Sequence, residues 1–232
     1  MICLGIESSG EAAGAALADE TGVLGEIRLN MARRHSMVLA PMVRDLLSYA
    51  GLELKDLGCI AVSVGPGSFT GLRIGISLAA SLAYGADLPT VGVSSLETLY
   101  EAGHRLADEA EAGKGTVILP IIPIKKNEAY ILHLGETRMV QLDKFIHTLP
   151  TEPRYLIMGE GWKEYEGLFR GANLKLLKIG ESDRRPRPSS VAKLGLEAAL
   201  RGEAGDAFTL APNYIRRPEA ELNLERKQKP HD

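Results

Sequence analysis

Short apolar runs alternate with turn residues along the first thirty positions of the chain. The runs at 2–6, 12–18 and 23–29 predict three strands, which the polar stretch at 7–11 and the turn at 19–22 separate. The pattern therefore predicts a three-stranded antiparallel meander with a polar loop at its first turn.

The pattern changes to helical spacing after the meander. Apolar residues recur three and four positions apart over 36–50, which is the stripe of an amphipathic helix. Ser36 is the predicted N-cap and Gly51 the C-terminal stop, and Pro41 falls in or near the first turn, where proline is tolerated. A single helix over this range is the simplest interpretation.

Strands and helices alternate in the next sixty residues. The β-branched run at 59–64 predicts a buried parallel strand. A helix rich in Ala, Leu and Gly is predicted over 70–84, and a short strand at 90–93 precedes a helix that ends near 102. The predicted order of the first half is thus β-β-β-α-β-α-β-α.

The second half echoes this order less clearly. Strands are predicted at 117–122, 129–134, 139–142, 155–158 and 174–179, and helices at 144–148, up to about 169 and at 190–201. The stretch 101–115 is predicted to connect the halves, and the polar residues after Arg216 to form a loose tail. The echo of elements indicates two related lobes.

Composition narrows the class of protein. Of 232 residues, 45% are hydrophobic, 25% charged and 5% aromatic, which favours a helix-rich α/β protein with a substantial core. The formal net charge of −3 lacks the basic excess of proteins that hold nucleic acid alone, so any such contact is expected to be local or to come through a partner.

Two features bear on location. Cys3 and Cys59 both lie in apolar runs and are expected to be buried thiols of a reducing compartment. No basic, apolar leader opens the chain, and no apolar run approaches the roughly 20 residues that span a bilayer. The cytoplasm is therefore the expected location.

The most informative stretch joins the strand at 59–64 to the helix at 70–84, and it has the sequence GPGSFTGLRIG. One interpretation is a phosphate loop, because glycines permit a close approach at a helix start whose free N–H groups attract anions. No Lys-Ser or Lys-Thr follows, so it is not a Walker A loop. The other interpretation is packing, since small residues such as Gly71 and Gly75 let another element approach the helix closely.

This segment resembles the hallmark of the TsaB (YeaZ) family. Other stretches agree with the family in order: an I-D-T-S-type turn, an H-S-x-x-L-x-P helix start, a strand-to-helix junction and a closing P-x-Y-L-R motif, matched here at 6–9, 35–41, 91–97 and 212–216. The match is dense over 1–105 and sparse beyond it.

The resemblance implies an α/β protein with the two-lobed actin/Hsp70/hexokinase-like (ASKHA) fold, each lobe a mixed sheet with flanking helices. We expect the first lobe at 1–105 and a smaller second lobe with a C-terminal tail at 106–232, part of which returns to the first lobe.

The resemblance also implies a function. The expected role is a non-catalytic partner subunit that binds TsaD, the enzyme that transfers threonylcarbamoyl to an adenosine of tRNA, with the ATPase TsaE completing the assembly. No cofactor and no metal are expected, and contact with tRNA is expected to be indirect or weak.

The family's pairing surface consists of two helices of the first lobe, here 36–50 and 70–84. The residues predicted for the partner interface are Leu39, Val43, Leu46, Gly71, Leu72, Gly75 and Ala79. Self-association would cover such an apolar face when the partner is missing, which predicts a homodimer for the isolated chain.

Two stretches depart from the family pattern. The first-turn Asp of the family is a Glu here, so a vestigial nucleotide loop is predicted, formed by Glu7, Ser8, Ser9 and Gly10. The D-A-R-x-x-E-V-Y stretch of the family corresponds to 123–130, where Glu128 and Tyr130 persist and Pro123 replaces the Asp.

Two enzymatic alternatives stay open. A small-molecule kinase of the same fold would use 7–11 as one phosphate loop and Gly159-Glu160-Gly161 as another. A glycoprotease-like hydrolase is less favoured, because no two histidines stand four apart and Ser68 lies in no G-x-S-x-G motif.

Basic residues form four small clusters, at 125–126, 184–187, 216–217 and 226–229. They are predicted to be solvated surface. The segment 184–189, which holds two prolines, is predicted to be an extended loop that is open to tRNA or to a partner.

Overall fold

Ten strands and six α-helices form the described part of this computed structural model, which comprises residues 1–31, 34–109 and 115–215. The first half contains β1 (Cys3–Glu7), β2 (Ala13–Asp19), β3 (Gly22–Leu29), α1 (His35–Ala50), β4 (Cys59–Gly65), α2 (Phe69–Ala86), β5 (Thr90–Ser94) and α3 (Ser95–Glu109). The second half contains β6 (Thr116–Lys125), β7 (Glu128–His133), β8 (Glu136–Gln141), α4 (Leu142–Ile146), β9 (Arg154–Met158), α5 (Trp162–Gly171), β10 (Lys175–Leu176) and α6 (Pro188–Leu200).

Two sheets built to one plan organise these elements. The first sheet has the strand order β3-β2-β1-β4-β5, and the second has β8-β7-β6-β9-β10. In each sheet three antiparallel strands adjoin two parallel ones. The same topology therefore occurs twice, which confirms the two-lobed actin/Hsp70/hexokinase-like fold.

Opposite faces of the first sheet are covered by different helices. Successive side chains of β1 point to opposite faces: Leu4 and Ile6 join the core beneath α1 and α2, whereas Cys3 joins the core beneath α6. Gly5 lets α6 approach closely, since a Cβ there would lie 2.3 Å from the backbone nitrogen of Ala192. The helix nearest the end of the described chain thus packs on the first sheet.

The helix α3 contacts strands of both sheets, among them β4 and β5 of the first and β6 and β9 of the second. The stretch 101–115, which was predicted to be a connection, belongs to this helix up to Glu109. Residues 110–114 lie outside the described residues. The lobe limits at 1–105 and 106–232 stay a prediction.

The cysteines are placed as predicted. Cys3 and Cys59 are neighbours on the paired strands β1 and β4, and both are free and buried. Among the described residues, no helix combines the length and the apolarity that crossing a bilayer requires.

Several element boundaries differ from the sequence prediction. The helix α1 begins at His35, so Ser36 is not its N-cap and Pro41 lies in the helix interior. The strand predicted at 174–179 is reduced to Lys175–Leu176, and α6 starts at Pro188, since proline is well suited to a first helical position. The tail predicted after Arg216 lies outside the described residues.

Candidate functional site

The polar loop at 7–11 follows β1 and begins with a buried carboxylate. Glu7 is 1% exposed; its Oε1 accepts the Ser9 N–H at 2.6 Å and its Oε2 accepts a short hydrogen bond from the Ser63 hydroxyl on β4. Burial raises the pKa of Glu7, and these hydrogen bonds oppose the rise. Both carboxylate oxygens are thus engaged within the chain.

The turn between β4 and α2 is hydrogen-bonded to the same loop. The Ser68 N–H donates to the Ser9 carbonyl at 2.7 Å, and the Ser8 hydroxyl donates to the Gly71 carbonyl at 2.9 Å. Ser68 also caps α2, because its hydroxyl accepts the Gly71 N–H at 3.2 Å. The loop at 7–11 and the start of α2 are thus hydrogen-bonded to each other, which favours the packing interpretation over a phosphate loop.

The glycines of this segment admit the chain's own loop. A Cβ at Gly71 would lie 2.2 Å from the Ser8 carbonyl oxygen, and a Cβ at Gly75 would lie 2.2 Å from the Ser8 hydroxyl oxygen. Real Cβ atoms essentially never approach so closely, so a larger residue at either position would displace the loop. The close approach predicted for these glycines is therefore made to residue Ser8, and not to another molecule.

The seven residues predicted for a partner interface all lie inside the first lobe. Each is buried, in the core beneath α1 and α2 or against the 7–11 loop: Leu39, Val43, Leu46, Gly71, Leu72, Gly75 and Ala79. Most of these side chains are thus enclosed by the first lobe itself, while Leu39 and Val43 also line the space between α1 and α2. The apolar stripe of each helix packs on the sheet of its own lobe, and the seven residues, like the partner interface on α1 and α2, stay a prediction.

The solvent-facing sides of α1 and α2 form a groove between the two helices. It consists of two adjoining cavities of about 530 and 520 Å³, and Ala40 and Leu78 line both. Ser77 and Arg73 also line this outer groove, and Met37 beside it on α1 is 71% exposed. Partly apolar surface is therefore available on the two helices, and beside the predicted Leu39 and Val43 it includes other positions such as Ala40 and Leu78.

A cleft of about 810 Å³ lies where the two lobes meet. The first lobe contributes the loop at 9–11, His35 and the start of α2, and the second contributes Pro123, Glu160, Gly161 and Glu164. His35 is buried, and its Nε2–H donates to the Gly10 carbonyl at 3.0 Å. The described residues that line this interlobe cleft include three carboxylates and neither Lys nor Arg.

Glu160 is the cleft residue that sequence reasoning undervalued. Its carboxylate accepts the Glu11 N–H across the cleft. Burial raises the pKa of Glu160, while this hydrogen bond and the nearby Arg185 oppose the rise. The glycines on both sides of it are the signal in the sequence, where they also fit a second phosphate loop of a kinase.

The basic cluster at 184–187 is not solvated surface. Arg184 is 3% exposed, and its guanidinium lies 4.5 Å from the centre of the Trp162 ring. Arg185 pairs with Glu11 at 2.9 Å, and Arg187 pairs with Asp183 at 3.1 Å. These arginines are engaged in contacts within the chain and are not free for tRNA, which corrects the prediction of an open loop. The basic clusters at 216–217 and 226–229 lie outside the described residues.

The stretch at 123–130 is a hairpin connection. Asn127 has a positive φ of 66° at the turn between β6 and β7, a conformation that asparagine tolerates. Its side-chain oxygen accepts the Asp143 N–H at 3.1 Å, and its carbonyl accepts the Leu142 N–H at 2.9 Å. The departure from the family pattern therefore coincides with a turn that anchors the start of α4.

The closing motif at 212–216 returns to the first lobe. The Asn213 N–H donates to the Val64 carbonyl at 2.7 Å, and the Tyr214 ring stacks on Phe69 with the ring centres 5.2 Å apart. Arg73 donates to the Tyr214 hydroxyl at 3.2 Å. Residues 212–215 thus lie beside α2 at the end of the outer groove, and Arg216 is outside the described part.

Within the described ranges, no three His, Cys, Asp or Glu side chains are grouped so that they could hold a metal ion. His35 contacts the loop at 7–11, and His133 packs edge-on against Phe145. His231 lies outside those ranges.

Comparisons with known proteins agree on one group of relatives. The family model of TsaD, tRNA N6-adenosine threonylcarbamoyltransferase, matches residues 17–148, which is more than half of the chain. The tRNA threonylcarbamoyladenosine biosynthesis protein TsaB of Bacillus subtilis is 32% identical over 99% of this chain and 100% of its own length. TsaB of Escherichia coli is 33% identical over 78% of this chain and 80% of its own.

A solved structure agrees with these relatives. YeaZ from Pseudomonas aeruginosa superposes with a TM-score of 0.69 at 28% identity, covering 91% of this chain and 100% of that one. The resemblance extends beyond the first lobe, where the motifs are dense, to the whole two-lobed fold.

Proposed function

Because the chain belongs to the TsaB family, within the group of TsaD-related proteins, we propose that it is the non-catalytic subunit that binds and supports TsaD in threonylcarbamoyladenosine modification of tRNA. The observation that carries this proposal is the match to a TsaB protein over that protein's entire length. The Bacillus and Escherichia relatives are both described as tRNA threonylcarbamoyladenosine biosynthesis proteins.

Internal contacts at the predicted vestigial nucleotide loop support a non-catalytic role. Both oxygens of Glu7 are hydrogen-bonded within the chain, and Ser8 and Ser9 bond to the start of α2. A kinase also needs cations beside the transferred phosphate. The described lining of the interlobe cleft has no basic residue, and its three carboxylates are not grouped so that they could hold a metal ion, which disfavours the kinase alternative.

The outer groove is the surface that we propose for TsaD. It lies on the two helices that the family resemblance assigns to pairing, and side chains such as Ala40 and Ser77 are exposed there. Arg44 and Arg73 line it and are exposed as well. Apolar surface with basic residues at its margin suits a partner helix pair that carries apolar and acidic side chains.

The remaining parts of the proposal rest on the family resemblance. TsaE joins the larger assembly, tRNA contact is made largely through TsaD, and the complex works in the cytoplasm. In the absence of TsaD, the same groove is covered by a second copy of the chain, which gives a homodimer.

Mixing the purified chain with TsaD from the same genome tests the proposal. Size-exclusion chromatography with light scattering measures the mass of each species, first for each protein alone and then for the mixture. The expected result is a heteromeric peak that replaces the homodimer. If the two proteins elute separately, both with and without ATP, the proposed function is wrong.

A further inference from the structure

The turn between β9 and α5 directs a carboxylate out of the second lobe. Glu160 is flanked by Gly159 and Gly161, whose φ angles are 131° and 77°, values that L side chains rarely adopt. A Cβ at Gly159 would also lie 1.8 Å from the Ile121 carbonyl oxygen. The two glycines therefore permit the backbone conformation that carries Glu160 toward the first lobe.

The Glu160 carboxylate sits against the backbone of the 7–11 loop. The Glu11 N–H lies 2.8 Å from Oε1 and 3.0 Å from Oε2. Gly10 makes room for this contact, since a Cβ there would lie 2.6 Å from Oε1. The Glu11 N–H is thus open to an anion on the side of Gly10, and here the anion belongs to the protein.

The surroundings of this position oppose a second anion. Glu11 and Glu164 line the same cleft, and the buried Glu7 lies behind the loop. Arg185 is the nearby cation, but it is paired with the Glu11 carboxylate at 2.9 Å. The described cleft lining therefore contains no basic side chain that would stabilise a phosphate beside the negative charge of Glu160.

The same contact connects the lobes. It joins residues 149 positions apart in the chain, one on the β1–β2 loop and one on the β9–α5 turn. The ion pair between Arg185 and Glu11 runs beside it in the same direction. A charge-assisted hydrogen bond at this point resists separation of the two lobes.

We propose that Glu160 is an internal anion, which fills the anion position of the 7–11 loop, joins the two lobes and thereby keeps phosphate-bearing ligands out of the interlobe cleft. The inference is independent of the pairing with TsaD, because it concerns a contact within one chain. The ligand class that would occupy the position without Glu160 is a small carboxylate or an inorganic phosphate.

Chemical rescue of Glu160→Ala tests the proposal. The melting temperature is measured in sodium formate, in sodium phosphate and in sodium chloride at equal ionic strength. The variant is expected to melt about 3–10 °C below the parent chain in chloride, and formate or phosphate should recover part of that loss. The parent chain and the control Glu164→Ala, which removes a neighbouring cleft carboxylate, should show no such recovery.

A double-mutant cycle gives a second readout that does not need a ligand. Gly10→Ala should lower the melting temperature of the parent chain modestly, because its Cβ displaces the Glu160 carboxylate from the Glu11 N–H, and should lower it much less in the Glu160→Ala background. The proposal is overturned if formate and phosphate stabilise Glu160→Ala no more than Glu164→Ala, or if Gly10→Ala has the same effect in both backgrounds.

Discussion

The inner and outer faces of α1 and α2 differ in what they contact. The inner faces carry the regular apolar stripe, with Leu39, Leu46 and Leu72 in the core of the first lobe. The outer faces are mixed, with Met37 and Ala40 beside an open groove. A strong helical stripe in a sequence thus indicates burial within the chain first, and a partner surface is to be sought on the less regular face.

A charge on the inner face gives the largest expected effect on the fold. Leu46 is 5% exposed, so Leu46→Asp buries an unpaired carboxylate and removes a core side chain, and we expect a loss of more than about 4 kcal/mol in the free energy of unfolding. Urea denaturation followed by circular dichroism measures it. The control is Tyr49→Asp on the same helix, which is 82% exposed in the parent chain and should cost less than about 1 kcal/mol. Equal losses in the two variants would contradict the assignment of the inner face.

Alanine substitutions at two glycines of α2 compare its inner and outer faces with a smaller change. A Cβ at Gly75 would meet the Ser8 hydroxyl oxygen at 2.2 Å, whereas a Cβ at Gly85 has no neighbour within 4 Å. We expect Gly75→Ala to lower the free energy of unfolding by about 1–3 kcal/mol and Gly85→Ala to raise it by about 0.5–1 kcal/mol. Urea denaturation measures the free energy of unfolding of both variants. If Gly75 faced solvent or a partner, the two substitutions would change that free energy alike.

The buried carboxylate of the 7–11 loop gives a pH dependence. The pKa of Glu7 in the folded chain is raised above its ordinary value of 4.5, so between these two values the folded state binds more protons than the unfolded state. The contribution of Glu7 is therefore fully present below pH 4.5 and is lost as the pH rises through the folded pKa.

Glu7→Gln should remove this contribution. Its amide oxygen can accept the Ser9 N–H and its amide nitrogen can donate to Ser63, which are the groups that bond Glu7 in the parent chain. We expect the parent chain to lose more stability than Glu7→Gln between pH 5 and pH 8, as measured by urea denaturation at each pH. A parallel pH dependence in the two proteins would show that Glu7 is not the group responsible.

The sequence predicted the architecture well for a physical reason. The strands and helices of the first half, from β1 to α3, follow from local periodicity and from turn residues such as Gly51 and Gly65. The repeated topology of the second sheet was also suggested by the order of elements. Boundaries were less accurate at α1, because nothing local showed that the helix begins at His35 without a side-chain cap.

The candidate site was harder to predict, because it depends on contacts between distant segments. The pairs Glu160–Glu11 and Arg185–Glu11 join residues 149 and 174 positions apart, and no local pattern reports such pairs. The same limit applies to the predicted interface, since periodicity identifies apolar residues such as Val43 and does not tell the chain's own sheet from a partner.

The most direct test of the outer face compares two Ala→Arg substitutions on α1. Ala40 lines both parts of the outer groove, whereas Ala50 is exposed at the end of the helix and lines neither. Isothermal titration calorimetry with TsaD from the same genome measures the affinity of each variant. We predict that Ala40→Arg weakens binding roughly tenfold or more, with a melting temperature near that of the parent chain, and that Ala50→Arg binds as the parent does. Unchanged binding by Ala40→Arg would contradict the proposal that TsaD occupies the outer groove.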